Sequence, residues 1–400
     1  MRSLFIACVM VLPFWGHSQD ACGMQMATEY ALKHEAGFAE GFDQIESQIA
    51  EFDLNQFPST RDGFKEITIP IVVHVLYRLE EHNISYEQIA SQIDVLNRDF
   101  NLLNADQAKI PDVFRSVAGK AKFTFKLANT DPYGNFTTGV TRTKTDVEYI
   151  ADEMNYHKSS QGGKTPWNQA LYLNIWVCEI KGGTLGWSIL PGSNISERDG
   201  IVMSPRAFGT MGTAIEPYNG GRTLVHEMGH YFGLRHLWGS DDEACGFTDY
   251  MSDTPEQRSE NFGCKEFPHY SCDGEPNGDM FMNYMDYGND TCMLFFTERQ
   301  VAYMQLIVKT VRRALFYSQG VTGVNDHLPS EIKLYPNPVL DQLHVELETR
   351  EEIRIYNALG ALVYVGSDQS LIQQVDVSDW SSGVYYVHAG EHVEKLIVGK

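Results

Sequence analysis

Residues 226–236 read HEMGHYFGLRH and place three imidazoles and one carboxylate in a short stretch of chain. His226 and His230 are four residues apart, so on a helix both imidazoles project from one face and can bind one metal ion. Gly233 tolerates a positive φ, which lets the helix stop and the chain turn. Because that turn can bring His236 back as a third ligand, the segment predicts a metal site built on a helix and the turn that ends it.

The chemistry expected of this set is that of a catalytic rather than a structural zinc. Three neutral imidazoles at a tetrahedral ion leave one position open for water, and zinc lowers the pKa of that water to about 7. Glu227 follows the first histidine and can take the water proton without binding the metal. The pattern predicts metal-assisted amide hydrolysis. The alternative, a surface helix with scattered histidines, explains neither the spacing nor Gly233.

The first residues of the chain predict export. Residues 1–18 combine Arg2 with an apolar stretch and end in small residues, as a cleaved signal peptide does. The apolar stretch is too short to cross a bilayer, and no later one is apolar for long enough. Residues 19–61 are polar with apolar positions at helical spacing, and we interpret them as a pro-segment. The formal net charge of -22 argues against binding to nucleic acid or to anionic membranes.

Residues 62–318 predict a mixed α/β domain. The run ITIPIVVHVLY from Ile67 is rich in β-branched residues and predicts a buried strand, followed by a helix that Ser85 caps. Further strands are expected at 122–129 and 171–180, a Gly-punctuated edge at 182–192, and helices at 222–234 and 297–316. Residues 238–290 hold so many Gly, Asp, Asn, Pro and Cys that little regular structure is expected there.

Four cysteines fall in or just after this loop-rich stretch, namely Cys245, Cys264, Cys272 and Cys292. In an oxidising compartment they are expected to form two disulfides that hold the loops together. The sequence by itself permits three pairings of the four.

The histidine motif is accompanied by a methionine motif farther along the chain. HExxHxxGxxH is the zinc signature of the metzincins, which also carry a methionine in a tight turn beneath the metal, and NYMDYG supplies one at Met285. With TLVHEMGHYFGLRHLWG, SDTPEQ and FMNYMDYGNDTCMLFFTERQ, these motifs resemble the pappalysin or cytophagalysin family of metzincins over residues 67–315. The resemblance implies an α/β (α+β) catalytic domain with a mixed twisted sheet and a zinc-binding helix. It also implies that Tyr287 stabilises the oxyanion of the tetrahedral intermediate.

The same resemblance bears on the cysteines and on latency. It selects one pairing, Cys245 with Cys272 and Cys264 with Cys292. In this family a pro-segment can place a cysteine thiolate on the zinc in place of the catalytic water, so Cys22 is a candidate latency switch. A disulfide between Cys22 and Cys178, or an idle thiol, is the alternative. Arg61, just before the first strand, is a sensible site for the activating cut.

Two further features of the loop region follow from the resemblance. It implies a calcium ion, with Asp249, Ser252 and Thr254 as candidate oxygen ligands, whereas an acidic solvated loop is the alternative. Family members that cut beside basic residues carry an acidic residue right after the last loop cysteine, at the base of the specificity pocket. This chain has Met293 there. We therefore expect a pocket that prefers apolar or uncharged side chains.

The C-terminal part predicts a separate module. After a linker at 319–330, residues 331–400 alternate apolar and polar residues in short runs, which is typical of a small antiparallel β-sandwich. LYPNP, IYNALGALVY and the closing SSGVYYVHAGEHVEKLIVGK resemble the sorting domain of the type IX secretion system. The resemblance implies passage through that secretion machinery to the cell surface or the medium.

The sequence as a whole predicts a secreted zinc endopeptidase acting on proteins or peptides and made as a latent precursor. An inactive metzincin scaffold serving as an adhesin is one alternative, against which the presence of Glu227 argues because a pseudoenzyme needs no general base. A zinc hydrolase of non-peptide amides is another. The edge-like segment 182–192 favours peptides, since an extended substrate can pair with it as an added strand.

Overall fold

The computed structural model describes residues 22–35, 37–42, 45, 66–152, 154–192, 197–239, 244–313, 315, 332–347, 352–358, 361–366, 372–389 and 392–399. The predicted signal peptide, Arg61 and the predicted linker lie outside these residues. Internal contacts divide the chain into two units, Met1–Gly323 and Val324–Lys400. The domain boundaries drawn from the sequence stay predictions.

The first unit is built around a six-stranded sheet. Its strands are β1 (Ile67–Tyr77), β2 (Phe123–Leu127), β3 (Val140–Lys144), β4 (Leu173–Val177), β5 (Gly186–Ser188) and β6 (Ile201–Met203). Their order is β2-β1-β4-β6-β5, and β3 pairs with the C-terminal half of β1. All pairings are parallel except that of β5, which lies antiparallel to β6 at the edge of the sheet. The segment expected as an edge therefore contains the edge strand.

The long strand β1 shows why the sheet is buried on both faces. Alternate side chains of a strand point to opposite faces. The odd-numbered residues from Ile67 to Val75 enter the main core, which also receives side chains from the helix that carries the histidines. Val72 and Leu76 belong to smaller apolar clusters. Covering both faces of a largely parallel sheet explains the nearly continuous apolar run of β1.

The helices of this unit with both ends in the described residues include α1 (Met24–His34), α2 (Tyr86–Asp99), the single turn α3 (Asp112–Arg115), α4 (Arg222–Tyr231) and α5 (Glu298–Thr310). The Ser85 hydroxyl accepts a hydrogen bond from the N–H of Gln88, so the predicted cap is present. Thr297 and Gln300 form a reciprocal capping box at the start of α5. Helix α4 is shorter than the predicted span 222–234. Helix α5 lies within the predicted span 297–316, of which residues 314 and 316 lie outside the described part of the chain.

The region between α4 and α5 contains no α-helix or β-strand among its described residues, as its composition predicts. Two disulfides hold it, in the pairing that the family resemblance selects. Cys245 is joined to Cys272 and Cys264 to Cys292, with Cα atoms 5.8 and 5.7 Å apart. Covalent links thus replace the backbone ladders that such a glycine- and proline-rich segment cannot form.

The second unit is all-β, as predicted. Its strands are β7 (Ile332–Tyr335), β8 (Gln342–Leu347), β9 (Ile353–Asn357), β10 (Leu362–Val365), β11 (Ile372–Asp376), β12 (Gly383–Ala389) and β13 (His392–Val398). They form two antiparallel sheets, of order β10-β9-β12-β13 and β11-β8-β7. In neither unit is any described helix long and apolar enough to cross a membrane.

Candidate active site

Helix α4 and the turn that ends it bring three imidazoles together. The Nε2 atoms of His226 and His230 lie 3.0 Å apart, and the Nε2 atoms of His230 and His236 are also 3.0 Å apart. Gly233 has φ +89°, a conformation that favours glycine, and it reverses the chain so that His236 faces the helix. The helix and the glycine turn together bring His226, His230 and His236 to one place.

Backbone carbonyls orient two of these rings. The Nδ1 of His226 lies 2.7 Å from the carbonyl oxygen of Tyr284, and the Nδ1 of His230 lies 2.7 Å from that of Leu234. An Nδ1–H that donates to a carbonyl leaves the Nε2 lone pair available to a metal. The turn after Gly233 therefore supplies His236 and also aims His230.

Burial keeps these imidazoles neutral, which is the form that binds metal. Desolvation lowers the pKa of His226 to about 4. Burial also lowers the pKa values of His230 and His236 well below the usual value, and the neighbouring imidazoles add to this effect. One Sγ atom joins the group, because Cys22 and the three histidines offer four ligand atoms within 4.8 Å of one another. A thiolate and three imidazoles are a donor set that fits zinc.

Glu227 lies on the neighbouring face of α4 and is fully buried. Burial raises the pKa of its carboxyl to about 8. The Ser188 hydroxyl donates to the Glu227 carbonyl oxygen at 2.9 Å, which ties the helix to the edge strand β5. The carboxyl group lines the same pocket as His226 and Tyr287.

Met285 and Tyr287 reach the site from the loop region. Met285 is completely buried and packs against Gly229 of α4, so closely that a Cβ on this glycine would collide with the Met285 sulfur. The ring centroid of Tyr287 lies 5.7 Å from that of His226 and 5.0 Å from that of His236. The residues expected under the metal and beside it thus lie against the histidine cluster.

Comparison with known proteins agrees with this geometry. A family model described as pregnancy-associated plasma protein-A matches residues 157–309. An extracellular metalloprotease of Trichophyton verrucosum is 30% identical over 274 residues, covering 67% of this chain and 83% of that protein. A second, from Arthroderma gypseum, is 27% identical over 313 residues, covering 76% of this chain and 89% of that protein.

Solved structures of metalloproteases also resemble this chain. Mature mirolysin of Tannerella forsythia, in complex with a cleaved peptide, is 45% identical with a TM-score of 0.63, covering 65% of this chain and 99% of that chain. The chain belongs to this pappalysin family of metalloproteases. A promirolysin mutant of the same organism is 41% identical with a TM-score of 0.68, covering 76% of this chain and 99% of that chain. Its longer match supports synthesis of this metalloprotease as a zymogen.

Several predictions made from the sequence are thereby confirmed. The protein is a secreted or cell-surface zinc-dependent endopeptidase with a mixed α/β catalytic unit. A family model described as a secretion system C-terminal sorting domain matches residues 333–399, which agrees with the all-β second unit and implies dependence on secretion machinery. The reading as an inactive adhesin is not favoured, because the relatives are metalloproteases.

The start of the described chain lies across the metalloprotease site. Cys22 forms a parallel bridge with Gly186 of β5, and the N–H of Gly23 donates to the Gly186 carbonyl oxygen at 2.9 Å. No disulfide joins Cys22 to Cys178. Farther along, the guanidinium of Arg198 forms an ion pair with Glu35. This N-terminal segment thus adds to the edge strand through Cys22 and Gly23 and is anchored a second time through Glu35.

The calcium candidates are not all alike. Asp249 is buried, and its Oδ1 accepts hydrogen bonds from the Thr254 hydroxyl at 2.7 Å and from the Met251 N–H at 3.0 Å. Its Oδ2 is buried with no hydrogen-bond partner. Burial raises the pKa of Asp249 to about 7. Ser252, in contrast, is exposed.

The pocket beside Glu227 contains the residue expected for specificity and one that the sequence interpretation missed. Met293 and Leu185 line it, and so does Asp290. The Asp290 Oδ2 accepts hydrogen bonds from the N–H groups of Gly220 and Arg222 at 2.7 and 3.2 Å, which caps the start of α4. Its Oδ1 is buried without a partner. Asp290 lies two residues before Cys292 rather than directly after it, so the family pattern of an acidic residue after the last loop cysteine does not point to it.

Proposed function

We propose that His226, His230 and His236 hold the catalytic zinc and that Glu227 is the general base. The observation that carries this assignment is the convergence of three Nε2 atoms whose rings are buried, neutral and, for two of them, fixed by backbone carbonyls. When bound, zinc supplies a Lewis acid and lowers the pKa of a water molecule. Proton uptake by the Glu227 carboxylate, and its later transfer to the leaving amine, are the steps assigned to the chain.

We assign Tyr287 to the oxyanion. Its ring packs against two of the proposed ligands, and a phenol that donates a hydrogen bond where negative charge develops stabilises the transition state more than the ground state. Met285 has a different role: it fills the space under Gly229 and supports the helix that carries the histidines.

We infer that the substrate is an extended peptide paired with β5. The support is the way Cys22 and Gly23 already pair with Gly186 as an additional strand. A small non-peptide amide would leave this edge unused.

The preference for apolar side chains at the pocket stays a prediction that rests on Met293. Asp290 supports a competing preference, because a buried carboxylate oxygen without a partner favours a cation. A peptide library decides between them. Cleavage before apolar residues supports the role of Met293, whereas a strict requirement for Arg or Lys that is lost in Asp290→Asn assigns the pocket to Asp290.

We further propose that Cys22 keeps the zymogen latent. The support is that its Sγ lies within 4.8 Å of the ring nitrogens of the three histidines, and that Glu35 holds the same segment to Arg198. Cys22→Ala should give a precursor that cleaves itself or a peptide without activation, whereas Cys178→Ala, the matched control, should stay latent. A latent Cys22→Ala precursor would show that steric cover alone is sufficient.

We also propose calcium binding at Asp249 with Thr254 nearby, supported by the buried, unpartnered Oδ2. The exposed Ser252 contributes less than the sequence interpretation assumes. For the second unit, we propose the type IX system as the secretion route, supported by the match of residues 333–399 to a sorting domain.

The experiment that tests the main proposal is proteolysis of a denatured protein by the chain after removal of its pro-segment. We expect cleavage to stop on treatment with a chelator and to return on addition of about one equivalent of Zn²⁺, with metal content measured in parallel. On addition of Zn²⁺, the His230→Ala variant should regain neither proteolytic activity nor the metal content of the wild type. Full activity of the metal-free protein would contradict the assignment.

A further inference from the structure

The carboxylate of Asp286 lies between the two loop residues that reach the metal site, Met285 and Tyr287, and it is completely buried. Its Oδ1 accepts a hydrogen bond from the backbone N–H of Tyr287 at 2.8 Å. The same oxygen accepts one from the backbone N–H of Asn261 at 2.7 Å. One oxygen atom therefore joins the backbone of the active-site tyrosine to a loop that is far away in sequence.

The second oxygen of Asp286 strengthens this link. It accepts hydrogen bonds from the side-chain amides of Gln257 at 3.0 Å and of Asn261 at 3.1 Å. Four donors thus surround one buried carboxylate, three of them from residues 257–261. Hydrogen bonds to a charged acceptor in a buried setting are stronger than those between neutral groups. We therefore expect this set of four hydrogen bonds, called the Asp286 clasp, to hold residues 257–261 firmly against the turn at Tyr287.

The loop that Asp286 holds also contacts the tyrosine ring. Phe262, next to Asn261, packs with its ring centroid 5.7 Å from that of Tyr287. Beyond it, Gly263 bridges Gly288, and the N–H of Asn289 donates to the Gly263 carbonyl oxygen at 3.2 Å. Another part of the ring faces Trp238, with centroids 5.0 Å apart. The position of the Tyr287 ring therefore depends on loop 257–263 as well as on its own backbone.

We propose that Asp286 is a positioning residue for the reaction, which holds Tyr287 at the oxyanion by clasping loop 257–263 to the turn below the metal. The proposal rests on the proposed role of Tyr287. Displacement of a catalytic group by about 1 Å can lower a rate by about 100-fold, so a buried clasp next to such a group acts on turnover. Asp286 itself need not touch the substrate.

Asp286→Asn is the informative substitution. The amide oxygen can keep the two backbone N–H donors, but the amide NH₂ then faces two side-chain NH₂ groups, those of Gln257 and Asn261, and repels them. Asp279→Asn is the matched control. Asp279 is equally buried in the same region and accepts hydrogen bonds from Ser271, His269 and Asn261, but none from Tyr287.

The test is a double-mutant cycle on the active enzyme, with kcat and KM measured for one peptide. We expect Tyr287→Phe to lower kcat about 100-fold. We expect Asp286→Asn to lower kcat about 10-fold with KM nearly unchanged. In the Tyr287→Phe background, Asp286→Asn should have almost no further effect, because the group that it positions is gone. Asp279→Asn should leave kcat close to wild type in both backgrounds.

The outcomes separate the two proposals. If Tyr287→Phe keeps the kcat of the wild type, the proposed role of Tyr287 fails. If Tyr287→Phe lowers kcat, but Asp286→Asn lowers kcat by the same factor in the Tyr287→Phe background as in the wild type, Tyr287 keeps its role and the inference about Asp286 is overturned. Should Asp286→Asn not fold, Gln257→Ala removes one donor to the same carboxylate. Gln257→Ala should then cause a smaller loss of kcat, which disappears in the Tyr287→Phe background. A loss of kcat by the same factor in both backgrounds would again overturn the inference.

Discussion

Two segments form the walls of the active site, helix α4 and the loop region 244–296. In α4, an i, i+4 spacing on regular backbone places His226 and His230, and Glu227 follows on the next face. In the loop region, Met285, Tyr287 and Asp290 reach the same site with no helix or strand to place them. Disulfides and buried carboxylates hold that region instead.

The difference shows a division of labour. Helix α4 and the turn after it bear the groups assigned to metal binding and proton transfer. The capping by Asp290 and the packing of Met285 under Gly229 fix the helix against the loops. The loop region bears the groups assigned to the oxyanion and to specificity. Substitution of a helix side chain that is assigned to the chemistry should therefore lower activity with little loss of stability, whereas a substitution in the loops should lower stability as well.

The largest effect is expected at Glu227. Glu227→Gln should lower kcat by about 1,000- to 10,000-fold, because general-base catalysis is lost. Zinc content and thermal stability should stay close to wild type, since the amide has the shape of the carboxyl group. Glu66→Gln, at an exposed glutamate, is the control and should be fully active. A Glu227→Gln enzyme with a kcat within 10-fold of the wild-type value would contradict the assignment of proton transfer to the helix.

Removing a loop disulfide should act on stability. Each disulfide closes a loop of 27 or 28 residues, for which the chain-entropy model gives a loss of about 3.5 kcal/mol on removal. We expect the double substitution of Cys264 and Cys292 by Ser to lower kcat too, because that disulfide lies beside the pocket wall. The double substitution of Cys245 and Cys272 is the comparison. Equal activity of the two variants at a temperature where both are folded would contradict this distinction.

The pH dependence of stability should reveal Asp249. Burial raises its pKa in the folded state to about 7, above the ordinary value of 3.8. The folded protein then binds more protons than the unfolded chain between these values, so stability is highest at low pH and falls as pH rises towards about 7. A shift of this size corresponds to a fall of roughly 4 kcal/mol in full, of which roughly 2–3 kcal/mol lies between about pH 5 and pH 7.

The measurement is the free energy of unfolding of wild type and Asp249→Asn from pH 4 to pH 8, with and without Ca²⁺. Without Ca²⁺ the difference between the two proteins should change with pH. Added Ca²⁺ at pH 8 should stabilise only the wild type, because a bound cation favours the charged carboxylate. Equal stabilisation of both proteins would exclude the proposed ligand.

The smallest expected effect is on stability, at the contact between Gly229 of α4 and Met285 of the loop region. Gly229→Ala should destabilise the protein by about 1–2 kcal/mol although alanine favours helix, because its Cβ would overlap the Met285 sulfur. Gly288→Ala, whose Cβ would meet its neighbours at 3.4 Å or more, is the control and should cost less. Thermal unfolding measures both. Stabilisation by Gly229→Ala would mean that the contact is loose.

The sequence predicted most of what lies on regular elements. The buried strand from Ile67, the Ser85 cap and the edge strand are all present in the structure. The predicted end of α4 was wrong by three residues. In α4 the N–H of Phe232 already bonds to carbonyl oxygens of the last turn, and Gly233 takes a positive φ, so the turn begins earlier than the apolar pattern indicates.

The loop residues were predictable only by resemblance, and some not at all. Asp290 and Asp286 look like ordinary acidic loop residues in the sequence. Their roles depend on donors far away, Gly220 and Arg222 for Asp290, and Gln257 and Asn261 for Asp286. No local pattern encodes such pairs.

The sequence by itself determined the proposed metal-binding set, because the period of a helix and the freedom of one glycine convert the spacing of His226, His230 and His236 into geometry. It also determined that the last residues form a separate all-β unit. Only the tertiary structure decided which side chains surround that set: Cys22 beside the imidazoles, Met285 beneath α4, and Asp286 behind Tyr287. The physical reason is that periodicity is local, whereas a buried carboxylate or sulfur is placed by partners that only the folded chain brings near.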